Sequence, residues 1–134
     1  EIDVISAAVT EIMNMSIDAF INDDAESSLQ VEPLEQVIDK LSKQFKASHI
    51  ERLQDGDCTI ELGFVFTDII SNYERVSDHC SNIAVCILQI HENVFDTHEY
   101  MDTMKAKDNV AFTQEVKQYQ LLYALPGKKS ESEE

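Results

Sequence analysis

Two acidic pairs at helical spacing are the residues of this 134-residue chain best placed to do chemistry. Glu35 is followed four positions on by Asp39, and Glu74 by Asp78 within Tyr73-Glu74-Arg75-Val76-Ser77-Asp78-His79. Residues four apart on a helix share one face about one turn apart, so each pair can offer two hard oxygen ligands to one cation. Carboxylates without a cysteine set or a histidine pair suit cations of octahedral preference, such as iron, manganese or magnesium, better than tetrahedral zinc. The plainer reading is a solvated acidic face, because like charges at this spacing cost a helix only tenths of a kcal/mol. Two pairs on adjacent antiparallel helices can converge on one outer surface, which a single pair cannot do.

Other chemistries find less support. A ferritin-like di-metal oxidase needs an acidic residue three before a histidine. The residues at that offset from His49, His79, His91 and His98 are Lys46, Val76, Leu88 and Phe95. His79, beside Asp78, is a better ligand candidate than His91, which falls on an apolar stripe and reads as an interior histidine. Cys80 falls on the same stripe, with no pattern that supplies a base or an oxyanion hole. There is no Gly-rich phosphate loop. Nothing in these residues reads as an enzyme.

Composition narrows the partners. Twenty-six acidic against ten basic residues give a formal charge of -16, which repels nucleic-acid phosphates and anionic lipid headgroups and draws cations or basic surfaces. No apolar run is expected to reach the roughly 20 residues that span a bilayer, and no signal-peptide pattern opens the chain. Cys58, Cys80 and Cys86 form no Cys-x-x-Cys pair and read as reduced thiols in a cytoplasmic setting. The length suits one domain able to fold alone. A start at Glu1, without methionine, is expected of a piece cut from something longer.

The elements that must position the acidic pairs are helical: three glycines and two prolines punctuate the chain, and the apolar period is 3.6. A first helix over about 2–22 carries Ile5, Val9, Ile12, Ser16, Ala19 and Phe20 on one stripe, and Asn22-Asp23-Asp24 breaks it. A second carries Leu34, Val37, Ile38, Leu41 and Phe45 and ends at Gly56. Pro33 suits a first turn or kinks a helix already begun near Asp24, and the earlier start with a kink is the reading favoured. Asp57 caps a third helix of nearly forty residues, whose stripe runs Leu62, Val65, Phe66, Ile69, Tyr73, Val76, Cys80, Ile83, Ala84, Ile87, His91 and Val94. At 100° per residue Glu74 and Asp78 fall roughly opposite the centre of that stripe and are expected to face away from the core. Met13 and Met15 count as core. A short segment over 99–105 precedes a helix from about Asp108 with Phe112, Val116, Tyr119 and Tyr123 on one side. The expected fold is all-α, an elongated antiparallel three-helix bundle over 1–94, with a helical extension over 95–125 and a disordered polar tail over 126–134.

Longer runs carry a family resemblance. Glu35-Gln-Val-Ile-Asp39-Lys-Leu41, then His49-Ile-Glu-Arg52-Leu, Gly56-Asp-Cys58, and above all the run from Asp68 through Tyr73-Glu74-Arg75 and Asp78-His79-Cys80 to Ala84 resemble a PhoU domain. The nearest likeness is the second PhoU-like repeat in the cytoplasmic C-terminal region of bacterial sodium/phosphate cotransporters. The resemblance implies multinuclear iron or zinc clusters held on the surface by Glu/Asp-x-x-x-Asp motifs, with Glu35, Asp39, Glu74 and Asp78 as the ligands. It implies a regulatory role in phosphate uptake without catalysis, and as partner the membrane portion of the same full-length transporter, with no membrane insertion of this segment. PhoU proteins usually hold two repeats in tandem and one is read here, so pairing of two chains would restore the missing neighbour. That, with the detached Phe112 stripe, predicts a homodimer. The competing function is a structural dimerisation module with no metal role.

Overall fold

The computed structural model describes residues 1–92 and 110–125. Helices take up 89% of these and no strand occurs among them, against about one-third helix in an average globular protein. In chain order they are α1 (Ile2–Asn22), α2 (Ala25–Ser28), α3 (Val31–Asp55), α4 (Ile60–Glu92) and α5 (Val110–Leu122).

The turns follow from local chemistry. Asp23 takes the left-handed conformation (φ 52°) after α1, and Asp24 N–H then reaches back to Ala19 O at 2.9 Å. Asp24 immediately caps the next turn, its carboxylate accepting from the N–H of Glu26 and Ser27. That turn ends at Ser28, and α3 begins afresh at Val31. Pro33 therefore sits in a first turn, where its missing N–H is not needed, and the expected kinked continuous helix gives way to two separate ones. Gly56 closes α3 at φ 79°, and Asp57 N–H bonds Arg52 O at 2.9 Å. The cap of α4 is Thr59, whose Oγ1 accepts from Leu62 N–H at 3.3 Å. Asp57 lies too far upstream for that role.

The apolar faces of α1 and α3 meet, with Ile5, Ile12, Leu34, Ile38 and Phe45 fully buried, but Phe20, expected on the α1 stripe, is 67% exposed near the end of that helix. Side chains of this size contribute about 1.5–3 kcal/mol each on burial. α4 runs antiparallel to α3 and parallel to α1 and packs on both; Arg52 joins Glu1 at one end of the bundle, and His91 meets Asp23 at the other. His91 is thus an exposed hydrogen-bond partner of Asp23, not an interior residue.

Three expectations are corrected by this packing. The buried face of α4 runs through Gly63, Ile70, Ser77, Ser81, Ala84 and Leu88, while Leu62, Val65, Ile69 and Ile83 lie exposed. At 100° per residue the true core line is rotated by about 70° from the expected stripe. Met13 is exposed as well, whereas Met15 is partly buried against Tyr119. Finally, α1 is long and apolar enough to cross a membrane by length and composition, with mean hydropathy 1.4, although Ile5, Ala8, Val9, Ile12 and Ala19 along it are core residues of the bundle. Asp3, Glu11 and Asp18 interrupt its apolar residues, so no unbroken apolar run of that length occurs in it.

α5 lies along α3, and Phe112, Val116 and Tyr123 join the same core cluster. Tyr123 O–H donates to Glu11 on α1, and Tyr119 O–H to Met15 Sδ at 3.7 Å. The Phe112 stripe is therefore covered by its own bundle, which removes that reason for expecting a homodimer. Val94, the segment over 99–105 and the tail over 126–134 lie outside the described residues.

Candidate functional site

The line between α3 and α4 is unusually polar for a helix seam. Glu32, Ser42 and His49 on α3 and Ser77 and Ser81 on α4 are all buried. Ser81 Oγ donates to Glu32 Oε2 at 2.5 Å, so a buried carboxylate near the start of α3 is held by the late part of α4. Among the described residues, the hydroxyls of Ser42 and Ser77 have no hydrogen-bond partner. At the other end the His49 ring stacks on Phe66 with centroids 5.2 Å apart, and the Arg52 guanidinium stands 5.5 Å from the same ring while pairing with Glu1 at 2.8 Å.

The four expected ligands lie along the edge of this seam. Rotation of the α4 core line moves Glu74 and Asp78 from the far side of the helix to the flank facing α3, which corrects the expectation that they point away from the core. Asp39 and Glu74 side chains are each 31% exposed, so both are half-buried at the helix contact. Burial, then the charges of Glu74, Asp39 and Glu32, push the Asp78 carboxyl up, with His79 acting the other way. The fields of Asp39 and Glu74 thus reach Asp78 from two helices: the structure brings the two motifs onto one surface.

Two lysines share that surface. Lys43 Nζ donates to Asp39 Oδ2 at 2.7 Å, and Lys46 Nζ crosses from α3 to Glu74 Oε2 at 2.7 Å. Lys43 is pushed up by its bond to Asp39 and that residue's charge, with Glu74 and Glu35 adding to the effect against the opposing influence of burial. The donor chemistry suits a hard cation. The spacing does not close around one, however, since no group of three or more His, Cys, Asp or Glu side chains converges at metal-holding distances among the described residues. As arranged, the patch holds ammonium groups, and a cation would have to displace them and draw the carboxylates together.

Sequence reasoning missed Lys43, Lys46 and Glu32. Lys43 was legible as the i+4 partner of Asp39. The Lys46 contact needs the α3–α4 register, which no local pattern gives, and Glu32 beside Pro33 carries no signal of burial. All three cysteines are free thiols, with Cys80 buried and its thiol pushed up by that burial.

An elongated all-α bundle whose polar chemistry is an acidic patch shared by two antiparallel helices is a binding or regulatory module in form. The chain belongs to the PhoU domain family, which matches residues 2–87, more than half of its length. It is also similar to the phosphate-specific transport system accessory protein PhoU homolog 1 of Thermotoga maritima, at 26% identity over 80 residues. That match covers 60% of this chain and 34% of the relative, so the chain spans about a third of the relative's length. No solved structure matches the chain.

Proposed function

We propose that this chain is a regulatory PhoU module that modulates phosphate uptake, working on the cytoplasmic side as part of a sodium-dependent phosphate transporter. The observation that carries the reading is the family match over residues 2–87, which spans α1 through most of α4 and includes both acidic motifs. The similar Thermotoga maritima protein is a phosphate-specific transport accessory protein by name, which supports the phosphate connection. The likeness of Asp68 to Ala84 to the repeat that follows the membrane portion of sodium/phosphate cotransporters supports the transporter context.

The same reading makes Glu35, Asp39, Glu74 and Asp78 the ligands of a regulatory cation, iron or zinc by family resemblance. The placement of Asp39, Glu74 and Asp78 along one edge of the α3–α4 seam supports this, and Lys43 and Lys46 are the groups a cation would replace. The test is uptake of radiolabelled phosphate by cells carrying the native protein and by cells whose copy lacks this bundle, under abundant phosphate and with or without a sodium gradient. The expected result is altered, sodium-dependent uptake on loss of the bundle. Identical uptake in the two strains would reject a regulatory role and leave a structural module.

A further inference from the structure

The turn end of the α3/α4 hairpin carries apolar side chains that the described residues leave uncovered. Ile50 on α3 and Ile60 and Phe64 on α4 are 56%, 67% and 75% exposed. They share one level of the seam: Ile50 follows His49, whose ring lies against Gly63, and Gly63 stands between Ile60 and Phe64. At 100° per residue Ile60 and Phe64 fall about 60° and 100° beyond Gly63, on the side away from Cys80, which meets α1. Ile50 falls about 100° beyond His49, away from the core line through Phe45. The three therefore lie together on the outer face of the hairpin. The platform beneath them is firm, with His49 packed on Phe66, Arg52 beside the same ring and tied to Glu1, and Gly56 closing the turn.

We infer that this outer face is a docking surface for a basic amphipathic helix of a partner protein. It is separate from the carboxylate patch, which begins at Glu74 about 15 Å further along α4. Three large side chains exposed by half to three-quarters make an apolar patch on the order of 300 Å², a size that is often functional on soluble proteins. Ile60 and Phe64 stand one turn apart on one helix, and Ile50 widens the patch across the seam. A two-helix surface of that form is what an amphipathic helix covers with anchors at i and i+3 or i+4.

Charge selects the occupant. From Ile50 to Asp68 five carboxylates stand against one arginine, a net charge of -4, and that arginine is already committed to Glu1. Asp57 comes three residues before Ile60, while Glu61 and Asp68 lie three before and four after Phe64. All three are exposed, so carboxylates border the apolar side chains at helix-neighbour spacing. Among the described residues none of the three joins an ion pair. A second copy docked here would set two such rims against each other, and an anionic lipid surface would meet the same repulsion. An uncharged apolar ligand would leave the rim unanswered. Lysine or arginine flanking an apolar stripe meets both halves of the surface, the apolar patch and its acidic border.

Fluorescence anisotropy of a labelled leucine/lysine peptide of about 18 residues, patterned as an amphipathic helix, tests the inference when the chain is titrated into it. Saturable binding is expected, weakening as sodium chloride is raised. The double substitution Ile60→Ser and Phe64→Ser should weaken it about tenfold or more, and Glu61→Gln with Asp68→Asn should weaken it at low salt. The same leucines and lysines in scrambled order should bind about tenfold more weakly or worse, because they form no single apolar stripe. All four substituted side chains are exposed, so each variant should keep the native helical circular dichroism spectrum. Absence of binding overturns the inference. So does equal binding by the Ile60/Phe64 variant or of the scrambled peptide, since the attraction would then be to the acidic surface at large. A dimer in sedimentation velocity that Phe64→Ser dissociates, or sedimentation with phosphatidylglycerol vesicles that the same change abolishes, would assign the patch to a second copy or a membrane and overturn it as well.

Discussion

Replacing Gly63 by alanine should destabilise this protein, although helix propensity argues the other way. In an exposed helix interior the change would be worth about 0.8–1 kcal/mol in favour of alanine. Here, a Cβ on Gly63 would stand 2.4 Å from His49 Nε2 and 3.2 Å from Cε1. The imidazole has little room to retreat: His49 is 4% exposed and packed on Phe66, which the Arg52 guanidinium also approaches. Relief must come from separating α3 and α4 or turning the ring off its rotamer, and overpacking of that kind costs about 1–3 kcal/mol. Set against the propensity gain, the net loss is up to about 2 kcal/mol, or a fall in melting temperature of up to about 8 °C for a domain of this size. Urea denaturation and thermal melts followed by circular dichroism measure it. The decisive comparison is the double-mutant cycle with His49→Ala, where the opposing ring is gone and Gly63→Ala should become neutral or stabilising by up to about 1 kcal/mol. If Gly63→Ala stabilises the wild-type chain, or costs the same in both backgrounds, the contact does not limit the seam and the reasoning fails.

Three further outcomes follow from the charged groups. Asp78 binds its proton more tightly in the folded state than in the unfolded chain, so its ionised form opposes folding at neutral pH; Asp78→Asn should raise the melting temperature at pH 7, with the gain fading as pH falls through the raised value toward 3.8. Asp24 is the reverse case, held down by its hydrogen bonds with Ser27 and Glu26, so Asp24→Ala should lower the melting temperature at pH 7 and the difference should close at acid pH as Asp24 protonates; a difference that persists at pH 2 would show that the cap acts through something other than its charge. Iron(III), manganese(II) or zinc(II) should raise the melting temperature of the wild-type chain through preferential binding to the folded state, and Glu74→Gln with Asp78→Asn should abolish the rise while the helical spectrum stays intact; an equal rise in the double mutant would place the cation elsewhere on this acidic surface.

Much of the fold was legible because α1 and α3 each have one apolar face and one neighbour set to cover it. The boundaries of α1 and the end of α3 at Gly56 follow from periodicity and turn chemistry alone. α4 resisted the same reading for a physical reason: its apolar residues span two adjoining faces, and a single-stripe model averages them. That error rotated the core line, and with it the apparent direction of Glu74 and Asp78. The identity of the acidic residues came through, since spacing along one helix is a local property. Their surroundings did not, because Lys46 reaches Glu74 across a register that depends on the packing of the whole seam.

That register is fixed by apolar packing together with polar and steric pins. Sliding α4 past α3 by seven residues would set Ser77 where the fully buried Ile70 packs. It would also put Ile70 opposite His49 in place of Gly63, where even a Cβ comes within 2.4 Å of the ring. The same slip would separate Ser81 from Glu32, leaving a carboxylate that is 3% exposed without its hydroxyl donor, and would take Lys46 away from Glu74. Losing a buried donor to a carboxylate costs more than a neutral hydrogen bond is worth, so the three effects act together against the slipped pairing. The in-register pairing is also the one that brings Asp39 within the field of Asp78. Serine, histidine and glycine in the seam, poor contributors to a hydrophobic core, thus help to set the geometry of the acidic patch on its edge.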